Sequence, residues 1–315
     1  MNRLKRFQST GFDLRIAMYQ AVRLLIVATV IAFSVKYLLV DTVRMSGSQM
    51  TPTILPGDRL LVYRFPFIPL FNRFFKPPYD RAVVYRNGHG LNVLRVVAAS
   101  GDTIAIDSGK IASTALLPLS SGSFPAADGV IPEDYAPRDF FDTYRVPDKG
   151  TMLIMNRLSL RDLFFAADII RQEHPDDSVR VKPYLMLDDS LYEQYHLTDF
   201  MFYNGSIDTV PDTLRNNWFF WNRLEEYLYQ KFSDRKVSLY FTVQLDGVDI
   251  EEYRVKSTYY FLIADNRKNG LDSRYIGPVR RSRCLGRITM VLWSHGRDEN
   301  GKWHFRFNRL GRFIP

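Results

Sequence analysis

The chain has 315 residues, which is long enough for two folded units with a membrane anchor. Its residues are 46% hydrophobic, 14% aromatic and 24% charged, a composition that excludes a wholly disordered chain. Its formal net charge is +8 at pH 7, but no nucleic-acid-binding signature accompanies it, so we expect no nucleic-acid partner and attribute the basic residues to membrane topology. The one cysteine, Cys284, excludes an internal disulfide and a cysteine-rich metal site, and the five histidines lack metal-ligand spacing, so we expect neither a metal nor a cofactor.

The first predicted element is a transmembrane anchor at residues 21–40. Residues 24–40 are almost entirely apolar and would form about 25 Å of helix, which spans a bilayer when its ends snorkel. Lys36 lies near the far end, where its stem can lift the ammonium to the interface. Basic residues precede the span and only Asp13 opposes them, so the positive-inside rule places residues 1–20 in the cytoplasm and residues 41–315 across the membrane.

Two other interpretations of this segment stay open. A cleavable signal peptide would be followed by a small-x-small cleavage site, which is missing here, and the polar segment before its apolar stretch would be shorter. A helix buried in a protein core is the other interpretation, and the charge of Lys36 within the apolar stretch keeps it open.

After the anchor the pattern changes to short β-type runs separated by Pro, Asn-Gly and Ser-Gly turn chemistry. Two groups of predicted strands, far apart in the chain, would form one β-rich domain from residues 41–110 and 253–315. The predicted strands are Asp58–Arg64, Ala82–Arg86, Leu91–Ala98, Thr103–Ile106, Tyr253–Ala264 and Cys284–Trp293.

The region between these groups, residues 111–252, is predicted to be an inserted second domain. Ser159 is placed to cap a helix that runs to about Glu173, and another helix is expected at Trp218–Phe232. The predicted fold is therefore mainly β: an N-terminal transmembrane helix, then a β domain that a large α+β insertion interrupts.

Two motifs flank the predicted insertion. The first follows the anchor and contains Met50-Thr51-Pro52-Thr53, then Gly57-Asp58. The second contains Asp265-Asn266-Arg267 and, after a short spacer, Asp272-Ser273-Arg274-Tyr275. In order and spacing they resemble the boxes of the type I signal peptidases, which read Ser-Met-x-Pro-Thr with a later Gly-Asp, and Gly-Asp-Asn-Arg with a later Asp-Ser-Arg-Tyr. Ala264 replaces the first glycine of the second box, and the resemblance covers about residues 21–110 and 253–315, with a loose match at 146–150.

The resemblance implies a signal-peptidase-type β domain and a Ser-Lys active site. In such sites an amine replaces the histidine base, and it must be neutral near pH 7, which apolar burial of the lysine achieves. The serine attacks the peptide carbonyl once the lysine accepts its proton, and backbone amide groups stabilise the oxyanion.

Neither catalytic side chain is present at the aligned positions. Gln49 stands where the family has the serine, and Leu94 stands where it has the lysine. Arg95, the next residue, cannot replace the lysine because a guanidinium is not deprotonated in proteins. Ser48, and after it Ser46, is the fallback nucleophile, but a one-residue shift turns a strand side chain to the opposite face, so Ser48 would need a β-bulge.

The remaining box residues are interpreted as a retained binding and structural site. Asp272 and Arg274 are expected to form an ion pair that supports it, and Gly270 stands where the family often has a small hydroxyl residue. The other retained residues are Met50, Pro52, Arg95, Asp265, Asn266, Arg267 and Ser273.

The resemblance implies a membrane-anchored protein of signal-peptide processing, in a bacterial inner (plasma) membrane, with its bulk periplasmic or extracellular. With both catalytic positions replaced, the prediction is a pseudopeptidase that binds secretory precursors or an active paralogue. The expected partners are signal peptides, the lipid bilayer and an active signal peptidase. Two alternatives stay open: an active serine endopeptidase that uses Ser48 or Ser46, and a structural membrane protein that acts through its insertion.

Overall fold

The N-terminal apolar segment forms one helix, α1 (Leu14–Leu39), in a computed structural model that describes residues 14–68, 74–88, 90–114, 116–119, 139–192, 195–201, 203–297 and 301–315. The protein buries none of the apolar stretch Arg15–Ser34, which is long enough to cross a membrane. The hydroxyls of Thr29 and Ser34 bond to carbonyls one turn back, so the helix satisfies its own polar groups. The predicted anchor lies within α1, whereas residues 1–13 of the predicted cytoplasmic segment lie outside the described residues.

The strands and the remaining helices follow in three runs. The first run is β1 (Val40–Arg44), β2 (Asp58–Tyr63), β3 (Ala82–Asn87), β4 (Gly90–Ala99), β5 (Thr103–Asp107), β6 (Lys110–Ser113), β7 (Leu116–Leu119) and β8 (Phe141–Arg145). The second run is β9 (Met152–Ile154), α2 (Leu160–Glu173), β10 (Val179–Leu187), β11 (Ser190–Leu191), β12 (His196–Phe200), β13 (Tyr203–Ser206), α3 (Asp212–Arg215), α4 (Trp218–Lys231), β14 (Val237–Leu245) and β15 (Val248–Ile250). The third run is β16 (Glu252–Arg254), β17 (Tyr259–Ile263), α5 (Ser273–Ile276), β18 (Val279–Arg280), β19 (Cys284–Arg297) and β20 (Trp303–Phe305).

The main sheet is antiparallel and draws on strands that are distant in the chain. Its order is β1-β2-β19-β3-β4-β17-β18, with β20 pairing to β19. Strands from residues 40–99 thus alternate with strands from residues 259–305. The predicted strand Tyr253–Ala264 is two strands in the structure, because β16 pairs with β9 whereas β17 pairs with β4.

β17 is buried on both faces and separates two hydrophobic cores. Tyr259, Phe261 and Ile263 belong to a core that includes α2 and α4, because alternate side chains of a strand point to opposite faces. Tyr260 and Leu262 belong to the second core, which contains Met50 and Leu94. The candidate site therefore lies on the face of the main sheet that is directed away from the helices.

The region after β4 combines small sheets with two packed helices. One sheet has the order β7-β6-β5-β8 and another has β11-β10-β14-β15. The predicted cap of α2 is confirmed, since the Ser159 hydroxyl accepts a hydrogen bond from the Asp162 amide at 3.2 Å. The boundaries predicted for an inserted domain at residues 111 and 252 fall within β6 and β16, and they stay a prediction.

Candidate functional site

The loop between β1 and β2 carries the first motif, and a buried ion pair holds it. The Asp58 carboxylate accepts a hydrogen bond from the Leu55 amide at 2.9 Å and from Nε of Arg309 at 2.9 Å. Arg309 also donates to the Thr53 carbonyl at 3.0 Å, so one guanidinium spans the loop. Gly57 has a φ of +92°, and a β-carbon there would lie 1.9 Å from the His295 carbonyl oxygen, so the Gly-Asp pair serves the geometry of the loop.

Gln49, at the position aligned with the nucleophile, lies directly against the second motif. Its carbonyl accepts a hydrogen bond from the Asn266 amide at 2.9 Å. Its side chain folds back over Gly47, since a β-carbon on Gly47 would lie 2.0 Å from Gln49 Oε1. The residue is half-buried. The main chain thus joins the two motifs as an active site would require, but the side chain offers an amide in place of a nucleophile.

Ser48, the fallback nucleophile, also reaches the second motif. Its hydroxyl accepts a hydrogen bond from Asn269 Nδ2 at 2.9 Å. The strand-alternation argument against Ser48 does not apply, because the segment turns: the Thr51 amide donates to the Ser48 carbonyl at 3.0 Å. Ser48 is half-buried, whereas Ser46 is exposed.

Leu94, at the position aligned with the base, is a core residue. It pairs with Val83 across β3 and β4 and is 1% exposed, within the hydrophobic core that contains Met50 and Ala264. An aliphatic side chain here has no proton acceptor.

Arg95 ties β4 to the second motif. Its guanidinium donates to both carboxylate oxygens of Asp265, at 2.7 and 2.8 Å, and to the Asp80 carbonyl at 2.7 Å. Two parallel hydrogen bonds fix the orientation of both side chains. Arg95 is therefore a structural clamp, and its geometry leaves no role as a base.

Asp272 and Arg274 form the expected ion pair, which the structure confirms. Both side chains are fully buried, and the guanidinium donates to the two carboxylate oxygens at 2.8 Å each. The carboxylate also accepts a hydrogen bond from the Ala264 amide at 2.9 Å, and Arg274 Nη2 donates to the Arg267 carbonyl at 2.9 Å. The hydroxyl of Ser273 accepts a hydrogen bond from the Leu262 amide at 2.9 Å. This network fastens the second motif to the end of β17.

Comparison with known proteins bears directly on these two motifs. The model of the family described as "Signal peptidase, peptidase S26" matches residues 18–114 and 208–293, which include both motifs. The chain belongs to this signal peptidase family. A signal peptidase I from Buchnera aphidicola subsp. Baizongia pistaciae is 23% identical over 300 residues, 90% of this chain and 79% of that protein. Another, from Buchnera aphidicola subsp. Schizaphis graminum, is 41% identical over 59 residues, 18% of this chain and 19% of its own.

Membership of the signal peptidase family explains the architecture around the site. The N-terminal apolar helix and the family together indicate membrane anchoring. The matched ranges leave out residues 115–207, whose described part includes α2, and they include α3 and α4. The site is thus built from the parts of the chain that carry the family likeness.

Asn269 is a residue of the site that the sequence motifs do not single out. Its side-chain amide donates to the Ser48 hydroxyl at 2.9 Å, and the half-buried Lys268 precedes it in the spacer. The sequence sets the length of the spacer between the halves of the second box, whereas the contact of the spacer with the first box depends on the fold. Arg267, the last residue before the spacer and one of the predicted site residues, donates to the Gly109 carbonyl at 2.9 Å.

Within the described residues, no three His, Cys, Asp or Glu side chains lie close enough together to hold a metal ion. Burial raises the pKa of the Cys284 thiol to about 12, and the nearby Arg281 only partly opposes this. Cys284 therefore stays protonated near neutral pH and fills space in the core.

Proposed function

We propose that this member of the signal peptidase family is a pseudopeptidase of the bacterial inner (plasma) membrane, which binds the signal peptides of secretory precursors, or an active signal peptidase, without cleaving. Its N-terminus would lie in the cytoplasm and its bulk in the periplasm or outside the cell. The observation that carries the proposal is the placement of Leu94, buried at 1% exposure where a lysine would have to accept the proton. Without a base at this position, the Ser48 hydroxyl is a poor nucleophile.

The retained contacts support a binding role. Arg95–Asp265 and Asp272–Arg274 hold the second motif, and Gln49 and Asn266 join the two motifs through the main chain. These hydrogen bonds hold the backbone around the site in place, and they form whether or not the protein cleaves a substrate. The Asp272–Arg274 pair is fully buried and the Arg95–Asp265 pair is largely buried, so the arrangement of the second motif is retained although the catalytic side chains are not.

An open strand edge supports peptide binding in particular. The pairing of β4 with β17 ends at Arg95, so along residues 90–94 β4 pairs only with β3 among the described residues. Leu91, within this stretch, is 47% exposed. An extended peptide can add to such an edge through main-chain hydrogen bonds, with pockets for alternate side chains. A signal peptide before its cleavage site is a ligand of this kind.

Exposed aromatic residues support contact with a bilayer. Trp293 and Trp303 belong to paired strands β19 and β20, and Phe307 and Phe313 follow them in the chain. All four side chains are exposed. Trp in particular favours the membrane interface, where its ring is partly apolar and its N–H remains hydrated.

One observation favours the rival function, an active serine endopeptidase. The hydrogen bond from Asn269 to Ser48 holds that hydroxyl beside the second motif, with Lys268 one residue away. An amide donor cannot accept the serine proton, so this rival function requires a base that Asn269 itself does not provide.

The deciding experiment is a cleavage assay on the full chain in detergent, with a radiolabelled secretory precursor and an authentic signal peptidase as positive control. We expect no cleavage, together with binding of the precursor by a protein whose circular dichroism shows it folded. Cleavage at a small-x-small site that is lost in Ser48→Ala or Ser46→Ala would establish the rival function, and Lys268→Ala would then test the base. Absence of both cleavage and binding would contradict the precursor-binding role.

A further inference from the structure

A cavity of about 290 Å³ lies beside the segment that follows β2, and its lining is basic. Four cationic side chains line it together with two tyrosines, and no carboxylate is among the described residues that do so. The lining residues that matter are Lys76, Tyr79, Arg81, Tyr260, Arg281 and Arg287. Four positive charges around one concave surface favour an anionic ligand.

Two residues that line this cavity carry a buried donor atom without a hydrogen-bond partner in the described part of the chain. These atoms are the hydroxyl of Tyr260, a residue 2% exposed, and Nε of Arg287. A buried polar group without a partner costs free energy, so a ligand that accepts hydrogen bonds would be stabilised here. The planes of the arginines are already oriented, since Arg287 lies over the Tyr63 ring at 5.2 Å and Arg281 over the Tyr260 ring at 5.8 Å.

Two acidic groups adjoin lining residues of the cavity, and both have partners within the protein. Asp102 accepts a hydrogen bond from the Tyr79 hydroxyl at 2.8 Å and another from the Ala99 amide at 2.8 Å. Asp80 lies 3.5 Å from the guanidinium of Arg95. These pairings leave the charge of the cavity positive.

The cavity lies at the end of the main sheet where α1 joins it. The register places Val40, the first residue after α1, opposite Tyr63, and Tyr63 opposite Arg287. The amide of Arg64 donates to the carbonyl of Leu39, the last residue of α1, at 2.8 Å. Phe74, just before the lining residues Phe75 and Lys76, is exposed. A membrane-spanning α1 would thus bring the cavity to the level of the lipid headgroups.

We propose that this cavity binds the phosphate of an anionic phospholipid headgroup. Arginine side chains suit a phosphate because their planar groups donate paired hydrogen bonds, and clustered cations next to a membrane span favour anionic lipids. The Tyr260 hydroxyl and Arg287 Nε would donate to phosphate oxygens, and Lys76 and Arg81, which are exposed, would contribute at the mouth. This site is separate from the two signal peptidase motifs and does not depend on whether the chain cleaves.

The test uses the full chain in a neutral detergent, titrated with short-chain phosphatidylglycerol, short-chain phosphatidylcholine or inorganic phosphate. Binding is measured by native mass spectrometry and by the ligand-dependent rise in melting temperature. The double variant Lys76→Gln/Arg81→Gln alters exposed side chains, so it should fold with the melting temperature of the wild type. Arg86→Gln/Arg254→Gln is the matched control, because both arginines are exposed, outside the cavity lining and equal in charge.

We expect phosphatidylglycerol to bind about tenfold more tightly than phosphatidylcholine, and the cavity double variant to lose about tenfold in that affinity, the size of one charge-assisted hydrogen bond. The control should retain wild-type affinity. Equal affinity for the two lipids, or an equal loss of affinity in both double variants, would overturn the proposal. Either result would mean that the cavity provides no specific binding site for the anionic headgroup. Inorganic phosphate binding as tightly as phosphatidylglycerol would overturn the assignment to a lipid.

Discussion

The methyl group of Ala264 occupies the space that a side chain on residue 270 would need. A β-carbon built on Gly270 would lie 2.1 Å from the Ala264 β-carbon, and both residues are buried. These are the two positions of the second box where the family resemblance leads one to expect a glycine and a small hydroxyl residue. The two departures are thus one structural change, since the methyl group gained at one position fills the space given up at the other.

The first prediction concerns this pair. Gly270→Ser alone should destabilise the protein by about 1–3 kcal/mol, because overpacking forces side chains and backbone to shift. Adding Ala264→Gly should recover most of that loss, since it removes the methyl group in the way. Urea unfolding of the full chain in detergent, followed by tryptophan fluorescence, measures the four corners of the double-mutant cycle.

Gly88→Ser is the control for that cycle. Gly88 has nothing within 4 Å of a β-carbon, so its substitution should change stability by less than about 0.5 kcal/mol. Simple addition of the Ala264→Gly and Gly270→Ser effects, with no coupling, would show that the two positions are independent.

The second prediction concerns the buried pair of Asp272 and Arg274. Asp272→Asn should cost about 3–5 kcal/mol, because it leaves the guanidinium buried without its counter-charge. The largely exposed pair of Asp189 and Lys236 provides the control, and Asp189→Asn should cost less than about 1 kcal/mol. Chemical unfolding reports both values. If the two variants lost equal stability, the second motif would not depend on its ion pair.

The third prediction is a pH dependence that Glu173 causes at the end of α2. Burial by itself raises the pKa of Glu173. Its carboxylate, however, accepts hydrogen bonds from the hydroxyls of Tyr253, at 2.7 Å, and Tyr259, at 2.8 Å, and from the Lys256 amide. These hydrogen bonds outweigh the effect of burial, so the pKa of Glu173 is below its ordinary value of 4.5. A carboxylate with a lowered pKa stabilises the folded state above its unfolded pKa. This stabilisation is lost as the pH falls below about 4.5 and through the lower folded pKa.

Glu173→Gln should therefore flatten the fall in melting temperature between about pH 4.5 and the acid limit of the folded protein. The exposed Glu251 offers a matched substitution, and Glu251→Gln should leave the wild-type slope unchanged. Melting temperatures recorded across this range decide the matter. An unchanged slope in Glu173→Gln would mean that the carboxylate contributes equally to both states.

The fourth prediction is that chemistry can be restored to the two replaced positions. In Gln49→Ser/Leu94→Lys, burial at position 94 should lower the pKa of the new lysine, so that it is neutral often enough to act as a base. We expect precursor cleavage about 100-fold above either single variant, the range of general-base catalysis. Leu94→Met, which keeps the volume without an amine, should stay inactive with Gln49→Ser. A folded double variant without cleavage would show that the other departures in the second box also matter.

Elements with strong local signals were predicted well from the sequence. The apolar stretch of α1, the Ser159 cap of α2 and the strand beginning at Asp58 all follow from periodicity, capping and turn chemistry that neighbouring residues set among themselves. The single strand predicted at Tyr253–Ala264 was wrong, because its two halves pair with different distant strands. Local pattern carries no information about which partner a strand will find.

The sequence alone established that the family's two catalytic positions carry Gln49 and Leu94 in place of a serine and a lysine. Residue type is enough to decide this, because hydroxyl and amine chemistry depends on which side chain is present. The tertiary structure decided where those positions lie and what surrounds them: the turn that brings Ser48 to Asn269, and the methyl group of Ala264 that fills the space at residue 270. Ser48 and Asn269 are more than 200 positions apart in the chain. Such contacts follow from the pairing of β17 with β4 and the packing of the second core around it, and a sequence read residue by residue does not contain them.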